Sequence, residues 1–202
     1  VLGKVKYTDD GVVSTMKNWK KALDAGCFMD NHQNYSWQEA QPALINGEAA
    51  MYLMGNFLVP NLPQETQDNL DYWQFPDIKS GMARGEDAPT DLIFMPANAQ
   101  NKDNAKKFLE FVAKAENIEA IAGALKNLPT HKDAATVDDR FLKKGAKVLA
   151  ASKTAQFYDR DTTPEMASAG MQGFQDFMLN PDDMMDILEE LEEERARIFG
   201  AL

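Results

Sequence analysis

The chain has 202 residues, of which 44% are hydrophobic and 26% charged, and its formal net charge is −11 at pH 7. This balance is that of a globular protein with a sizeable core, and not that of a disordered chain. The negative charge argues against nucleic acid and against an anionic membrane surface as partners, because binding to either needs an excess of Lys and Arg. Small neutral or cationic molecules and protein partners stay open.

Few residues could carry chemistry. The single cysteine, Cys27, excludes an internal disulfide and a structural zinc site, and we expect it to be a small buried side chain. Residues 1–6 lack the features of a signal peptide, and there is no apolar run of about 18 residues that could span a membrane. The motifs G-x-S-x-G and G-x-G-x-x-G and the Walker loop are absent. We therefore predict no catalytic residue, no metal site and no cofactor.

In chain order, a first helix is predicted from Asp9-Asp10-Gly11 to Gly26, since Val12, Met16, Trp19 and Leu23 recur on one face. Ser36 and Glu39 form a capping box, which predicts a short helix at 37–46. Short strands are predicted at 49–54, 72–75 and 92–95. A short helix or loop at 58–69 and an irregular loop at 77–90 separate them.

The rest of the chain is predicted to be helical, with segments at 103–112, 117–126 and 138–151. Thr163-Pro164-Glu165 begins a further helix, since it joins a capping hydroxyl, a proline at the first helical position and an early carboxylate. Asn180-Pro181 begins the last helix in the same way. Its acidic run is expected to be a solvated face; the run comprises Glu189, Glu190, Glu192, Glu193 and Glu194. The result is a helix-rich α/β protein.

Two segments are candidates for binding. Gly55-Asn56-Phe57 ends a predicted strand, where an aromatic ring can stack on a sugar and an amide can donate hydrogen bonds. The alternative is that Phe57 belongs to the core. The loop Tyr158-Asp159-Arg160-Asp161 joins an aromatic, a guanidinium and two carboxylates, which are groups that recognise hydroxyls. Its alternative is a local ion pair beside a helix N-terminus.

Together the two segments have the composition of a carbohydrate site. Paired carboxylates could also indicate a glycoside hydrolase. Asp159 and Asp161 lie two residues apart in one loop, however, and a hydrolase needs its two carboxylates on opposite sides of the scissile bond. A small acidic helical protein-interaction module that uses the last helix is the other alternative, and it predicts an exposed apolar patch.

Several motifs in order resemble the family 1 extracellular solute-binding proteins of ABC sugar importers. They are NYSWQEA at 34–40, NGEAAM at 46–51, GNF at 55–57, the segment 98–112 and the segment 157–167. The resemblance implies the helix-rich lobe of a two-lobed, periplasmic-binding-protein-like clamshell with short strands. Members of the family are about twice as long, so the second lobe is expected to be incomplete.

By this analogy, residues 1–88 and 141–202 form the C-terminal ligand-binding lobe, and residues 89–140 are a returning segment of the N-terminal lobe. Phe57 matches the family's stacking aromatic, which is usually Trp, and Tyr158, Asp159 and Arg160 lie in its late ligand loop. Asp91 is a further candidate ligand-binding residue, although it stands where relatives often carry small residues, which departs from the family pattern.

The resemblance further implies a non-catalytic sugar receptor that delivers its ligand to the transmembrane subunits of an ABC permease. We expect it to be monomeric, periplasmic or extracellular, and associated with the membrane only through the transporter. Because closure by a second lobe excludes water and adds contacts, this chain by itself is expected to fold but to bind sugar weakly.

Overall fold

The computed structural model of the chain describes residues 3–77, 80–81 and 83–202. It divides into two compact units: unit 1 is Val1–Ala49 with Gln156–Leu202, and unit 2 is Ala50–Ala155. The predicted lobes, 1–88 with 141–202 and 89–140, have other boundaries, and the assignment to lobes stays a prediction. Residues 78, 79 and 82 of the loop predicted at 77–90 lie outside the described residues.

The described part of the chain forms eight α-helices and two short strands. The helices are α1 (Asp10–Asp24), α2 (Gln41–Ile45), α3 (Gln64–Asn69), α4 (Lys102–Val112), α5 (Ala115–Leu125), α6 (Arg140–Ala150), α7 (Pro164–Leu179) and α8 (Met184–Phe199). The strands are β1 (Gly85–Asp87) and β2 (Lys153–Ala155). Short 3-10 helices lie at His32–Asn34, Asn56–Asn61, Tyr158–Arg160 and Pro181–Asp183. Unit 1 contains α1, α2, α7 and α8, and unit 2 contains the other helices and both strands.

The helices predicted from local signals are confirmed. The Thr163 hydroxyl accepts a hydrogen bond from the Met166 amide at 3.2 Å and caps α7, as predicted. Asp139 caps α6 by accepting from the amides of Phe141 and Leu142. The capping box also forms, because the Ser36 amide donates to Glu39 at 2.9 Å and the Glu39 amide donates to Ser36 at 3.3 Å. It closes a turn, however, and α2 begins only at Gln41.

The three predicted strands at 49–54, 72–75 and 92–95 are wrong, since the described residues of these segments form no ladder. The strands that do form, β1 and β2, pair in parallel with Gly85 opposite Lys153 and Asp87 opposite Ala155. A strand exists only through hydrogen bonds to a neighbouring strand, and an apolar run does not say whether a neighbour is present. Leu53 and Leu92 are accordingly left 78% and 79% exposed.

The core of unit 1 lies between α1, α7 and α8. Its buried members are Met16, Met166, Phe177, Met184, Ile187, Leu188 and Leu191. The ring of Trp19 lies 5.1 Å from that of Phe177 and joins α1 to α7. Burying each such side chain stabilises the fold by about 1.5–3 kcal/mol. The apolar face predicted for α1 therefore packs in this core, and the core supports the loop between β2 and α7.

Three sequence expectations fail in part. Cys27 is exposed and not buried. The helix predicted at 103–112 forms as α4, and its apolar residues were expected to face inward, with Phe108 among them. It buries none of its residues, however, and Phe108 is 56% exposed. In the acidic run, Glu192 leaves the solvated face to bind Arg195. Because the apolar side of α8 is used in the core, the acidic helix presents no free apolar stripe of the kind that an interaction module would need.

Candidate functional site

The late loop is a short 3-10 helix, Tyr158–Arg160, that precedes α7. The amides of Arg160 and Asp161 both donate to the carbonyl oxygen of Phe157 at 3.0 Å, which folds the loop on itself. Asp159, Arg160 and Asp161 are exposed, and the Arg160 guanidinium lies 5.6 Å from the centre of the Phe157 ring. The loop therefore presents two carboxylates and one cation to solvent from a hydrogen-bonded frame.

Tyr158 anchors this loop to α7. Its hydroxyl donates to the carbonyl oxygen of Met166 at 3.0 Å, and its ring packs edge-on against Phe174. The ring also occupies the space beside Gly170, where a Cβ atom would overlap it. Burial raises the pKa of Tyr158 above its usual value, so the hydroxyl keeps its proton at neutral pH. The hydroxyl of Tyr158 is thus engaged within unit 1.

A second tyrosine reaches the same hydroxyl from the start of the chain. The hydroxyl oxygens of Tyr7 and Tyr158 lie 2.7 Å apart. Because the single hydroxyl proton of Tyr158 goes to Met166, Tyr7 must be the donor of this bond. Burial, followed by the hydrogen bond to Tyr158, raises the pKa of Tyr7 well above its usual range. Both tyrosines line a cavity of about 200 Å³, together with Lys6, Val12, Met166 and Phe174.

An ion pair on α8 holds the segment that carries Tyr7. The Glu192 carboxylate accepts the Tyr7 amide at 3.0 Å and binds the Arg195 guanidinium at 2.8 Å through both oxygens. Arg195 also donates to the carbonyl oxygens of Gly3 at 3.0 Å and Gly200 at 3.1 Å. Hydrogen bonding to Arg195 is the main cause that lowers the pKa of Glu192. Gly3 and Tyr7 are therefore both hydrogen-bonded to the last helix of unit 1.

The other predicted segment lies in unit 2. Gly55 precedes the 3-10 helix Asn56–Asn61, and the Phe57 ring folds back over Gly55 so closely that a Cβ atom there would overlap it. The Asn61 side-chain amide donates to the Phe57 carbonyl oxygen at 2.9 Å. Asn56 and Phe57 are half-buried and Gly55 is exposed. The close ring explains why this turn needs glycine.

Asp91 is exposed and lies in the irregular segment between β1 and α4. The predicted site residues thus fall into two sets, Gly55, Asn56, Phe57 and Asp91 in unit 2 and Tyr158 to Asp161 in unit 1. The structure brings the members of the late loop together within unit 1. That the two sets face one ligand stays a prediction.

Sequence reasoning missed Tyr7 and Arg195, which support the late loop. Arg195 could have been found, because it stands four residues after Leu191 and seven after Leu188 on the inward stripe of α8. An arginine at that position must be paired or pay a large desolvation cost. Tyr7 has no local signal of this kind, since its partner lies 151 residues away.

The exposed groups of the late loop can form hydrogen bonds and ion pairs with a polar ligand. Over the described residues, no three His, Cys, Asp or Glu side chains come together in a group that could hold a metal ion. Among the described helices, none has the length and apolar character needed to cross a membrane.

The chain is similar to known proteins both in sequence and in structure. The chain is 32% identical over 156 residues to an uncharacterized ABC transporter extracellular-binding protein of Pyrococcus horikoshii, covering 76% of the chain and 34% of that relative. It is similar in structure to the bacterial solute receptor AcbH, described as preferring β-D-galactopyranose, with a TM-score of 0.89 and 27% identity over 97% of the chain and 52% of the receptor. A chitin oligosaccharide binding protein shares the fold, with a TM-score of 0.82 and 19% identity over 98% of the chain and 52% of that protein.

These likenesses confirm the predicted fold class, a helix-rich part of a solute-binding protein fold. The chain spans about a third of the length of the curated relative and about half of each solved one. The model of a family described as bacterial extracellular solute-binding protein matches residues 2–151, well over half of the chain. The chain therefore belongs to the bacterial extracellular solute-binding protein family.

Proposed function

We propose that the protein is the non-catalytic substrate-binding component of an ABC-type carbohydrate importer, which binds a sugar between two lobes and delivers it to the membrane permease. The likeness to a receptor that prefers β-D-galactopyranose carries this proposal, since it extends over 97% of the chain at 27% identity. The relative from Pyrococcus horikoshii is likewise the binding protein of an ABC transporter. The proposed location is the periplasm or the outer surface of the cell.

The chemistry of the late loop supports a sugar as the ligand. Sugar hydroxyls both donate and accept, and Asp159, Arg160 and Asp161 offer acceptors and donors on one exposed turn. The turn is already folded by hydrogen bonds to Phe157, so little order has to be gained when a ligand binds. In unit 2, the Phe57 ring and the Asn56 amide are the proposed stacking and hydrogen-bonding groups.

The experiment that tests the proposal is a titration of the isotope-labelled chain followed by NMR. D-galactose and a chitin disaccharide are the probes, and L-leucine is the matched non-sugar control. Because the chain spans about half of the solved relatives, we expect weak, millimolar binding of one sugar, with shifts at 55–57 and 158–161 and none with leucine. The D159N/R160Q variant should lose these shifts while it stays folded.

Two results would contradict the proposal. The first is a folded chain whose resonances at 55–57 and 158–161 do not respond to any sugar of a broad panel. The second is the appearance of cleaved product in the spectrum of the chitin disaccharide, which would indicate the glycoside hydrolase alternative.

A further inference from the structure

The hydrogen bond between Tyr7 and Tyr158 joins the segment before α1 to the late loop. Tyr158 begins the 3-10 helix of that loop, and its hydroxyl has two protein partners. It donates to Met166 at 3.0 Å and accepts from Tyr7 at 2.7 Å. A phenol hydroxyl with one donor and one acceptor partner is held in a fixed direction. The orientation of the Tyr158 ring is therefore set from α7 and from Tyr7 together.

Tyr7 can act as a fixed point because α8 immobilises its backbone. Its amide donates to Glu192, and Glu192 is held in turn by the two hydrogen bonds from Arg195. Arg195 is 2% exposed and also binds the carbonyl oxygen of Gly3. The segment is thus bound to α8 at two backbone positions, and the side chain of Tyr7 extends from it to the loop.

The position of Tyr158 determines where the exposed groups of the loop lie, because covalent bonds and backbone hydrogen bonds connect them to it. Asp159 follows it directly in the chain. The Asp161 amide approaches both the Phe157 and the Tyr158 carbonyl oxygens, at 3.0 and 3.3 Å. A displacement of Tyr158 would therefore move the carboxylates and the guanidinium of the loop relative to α7.

We infer that Tyr7 is a positioning residue, whose hydroxyl fixes through Tyr158 the loop that carries Asp159, Arg160 and Asp161. The inference rests on the proposed function for the identity of the ligand, a sugar. The order of the loop itself can be measured without a ligand. Tyr7 touches Tyr158 and acts on binding only through it.

The test compares Tyr7→Phe with Tyr72→Phe in the full 202-residue chain. Tyr72 is a matched control because it is also half-buried and its hydroxyl also donates one hydrogen bond, to the Phe141 carbonyl oxygen at 2.9 Å in unit 2. Hydrogen exchange of the peptide 157–163 is the main readout. In Y7F we expect this peptide to exchange roughly two- to tenfold faster, the factor that corresponds to one hydrogen bond. In Y72F it should exchange as in the wild type.

Tyr158→Phe provides a second variant that breaks the same contact from the loop side. It removes both hydroxyl bonds, so its effect on 157–163 should exceed that of Y7F. D-galactose titrated into the wild type and Y7F is the second readout. We expect Y7F to weaken binding measurably, by at most the factor by which it speeds exchange, because the apparent affinity follows the fraction of chains whose loop is in the binding conformation. Raising the salt concentration should not restore wild-type exchange or binding in Y7F, because the lost hydrogen bond joins two neutral groups.

Three results would overturn the inference. One is unchanged exchange at 157–163 in Y7F, and another is an equal rise in every peptide of unit 1, which would make Tyr7 a general contributor to stability. The third is wild-type affinity for D-galactose in Y7F despite a faster loop. If no sugar binds to the wild type while Y7F still loosens the loop selectively, the proposed function fails and the positioning role of Tyr7 stands.

Discussion

Arg195 and Glu192 form a bidentate ion pair in the interior of unit 1, with both hydrogen bonds at 2.8 Å. The Arg195 side chain is almost fully buried, and its remaining donors reach the carbonyl oxygens of Gly3 and Gly200. A buried pair of this kind contributes little net stability over a well-packed apolar pair, but breaking it leaves a charge without its partner. The pair therefore holds together the segments around Gly3 and Gly200 in unit 1.

The first prediction concerns the ion pair between Arg195 and Glu192. Arg195→Gln leaves the Glu192 carboxylate without its partner and frees the Gly3 carbonyl oxygen. Arg197→Gln is the matched control, because Arg197 is half-exposed and pairs with Glu165 and Glu194 on the surface. We expect R195Q to lose roughly three to five times as much unfolding free energy as R197Q. Urea unfolding followed by circular dichroism measures both, and equal losses would contradict the role given to Arg195.

The second prediction concerns pH. Hydrogen bonding to Arg195 lowers the pKa of Glu192 below its usual value of 4.5. The unfolded chain therefore binds a proton at this group before the folded chain does as the pH falls. The stabilisation is present above pH 4.5 and is lost as the pH drops through the folded-state pKa.

Glu192→Gln should consequently be less stable than the wild type at neutral pH and should lose less on acidification. Urea unfolding from about neutral pH down to about pH 3 gives both quantities. Asp138→Asn is the control, because Asp138 is an exposed carboxylate whose pKa is lowered by an ion pair with Lys143. If the unfolding free energy of E192Q falls with decreasing pH as steeply as that of the wild type, other carboxylates control acid unfolding.

The third prediction uses the contact between Gly170 and Tyr158. Replacing a mid-helix glycine by alanine usually stabilises a protein by about 0.5–1 kcal/mol. At Gly170 the added methyl overlaps the Tyr158 ring, so G170A should instead destabilise by about 1–3 kcal/mol. Gly11, in the first turn of α1, has open space around its Cβ position, and G11A should stabilise the protein by up to about 1 kcal/mol. A gain in G170A equal to that of G11A would mean that Tyr158 moves aside without cost.

The helices of unit 1 were predictable from sequence because their signals are local. Thr163 and Pro164 lie next to each other and begin α7 where predicted, and the inward stripe of α8 repeats within a few turns. Pairing of strands is not local. The runs at 49–54 and 92–95 have strand composition, yet the described residues provide no neighbour for them, and β1 and β2 form from short polar segments instead.

The candidate site shows the same division. The composition of Tyr158 to Asp161 was visible in the sequence as a group of polar residues beside a helix start. The contact that fixes the group joins residues 151 positions apart, and no pattern near Tyr7 announces it. Arg195 was hidden for another reason: it follows a run of glutamates that suggests a solvated face, although its spacing from Leu191 places it on the buried side.

The last prediction concerns the exposed apolar residues of unit 2. Helix α4 buries none of its residues, and Phe108 and Phe111 are each 56% exposed. Exposed apolar area of this kind binds hydrophobic dyes and favours association. We expect the chain to bind such a dye, and F108Q/F111Q to reduce the fluorescence clearly while unfolding free energy changes by less than about 1 kcal/mol.

Phe177→Ala is the matched control for this experiment, because Phe177 is fully buried in unit 1 and its loss should cost about 3–5 kcal/mol. The losses of unfolding free energy in F108Q/F111Q and in F177A therefore distinguish exposed aromatic side chains from a buried one. A large destabilisation in F108Q/F111Q would show that α4 packs against another part of unit 2 in solution. Dye binding that survives the double substitution would instead place the exposed area at the apolar segments around Leu53 and Leu92, which are more exposed than either phenylalanine.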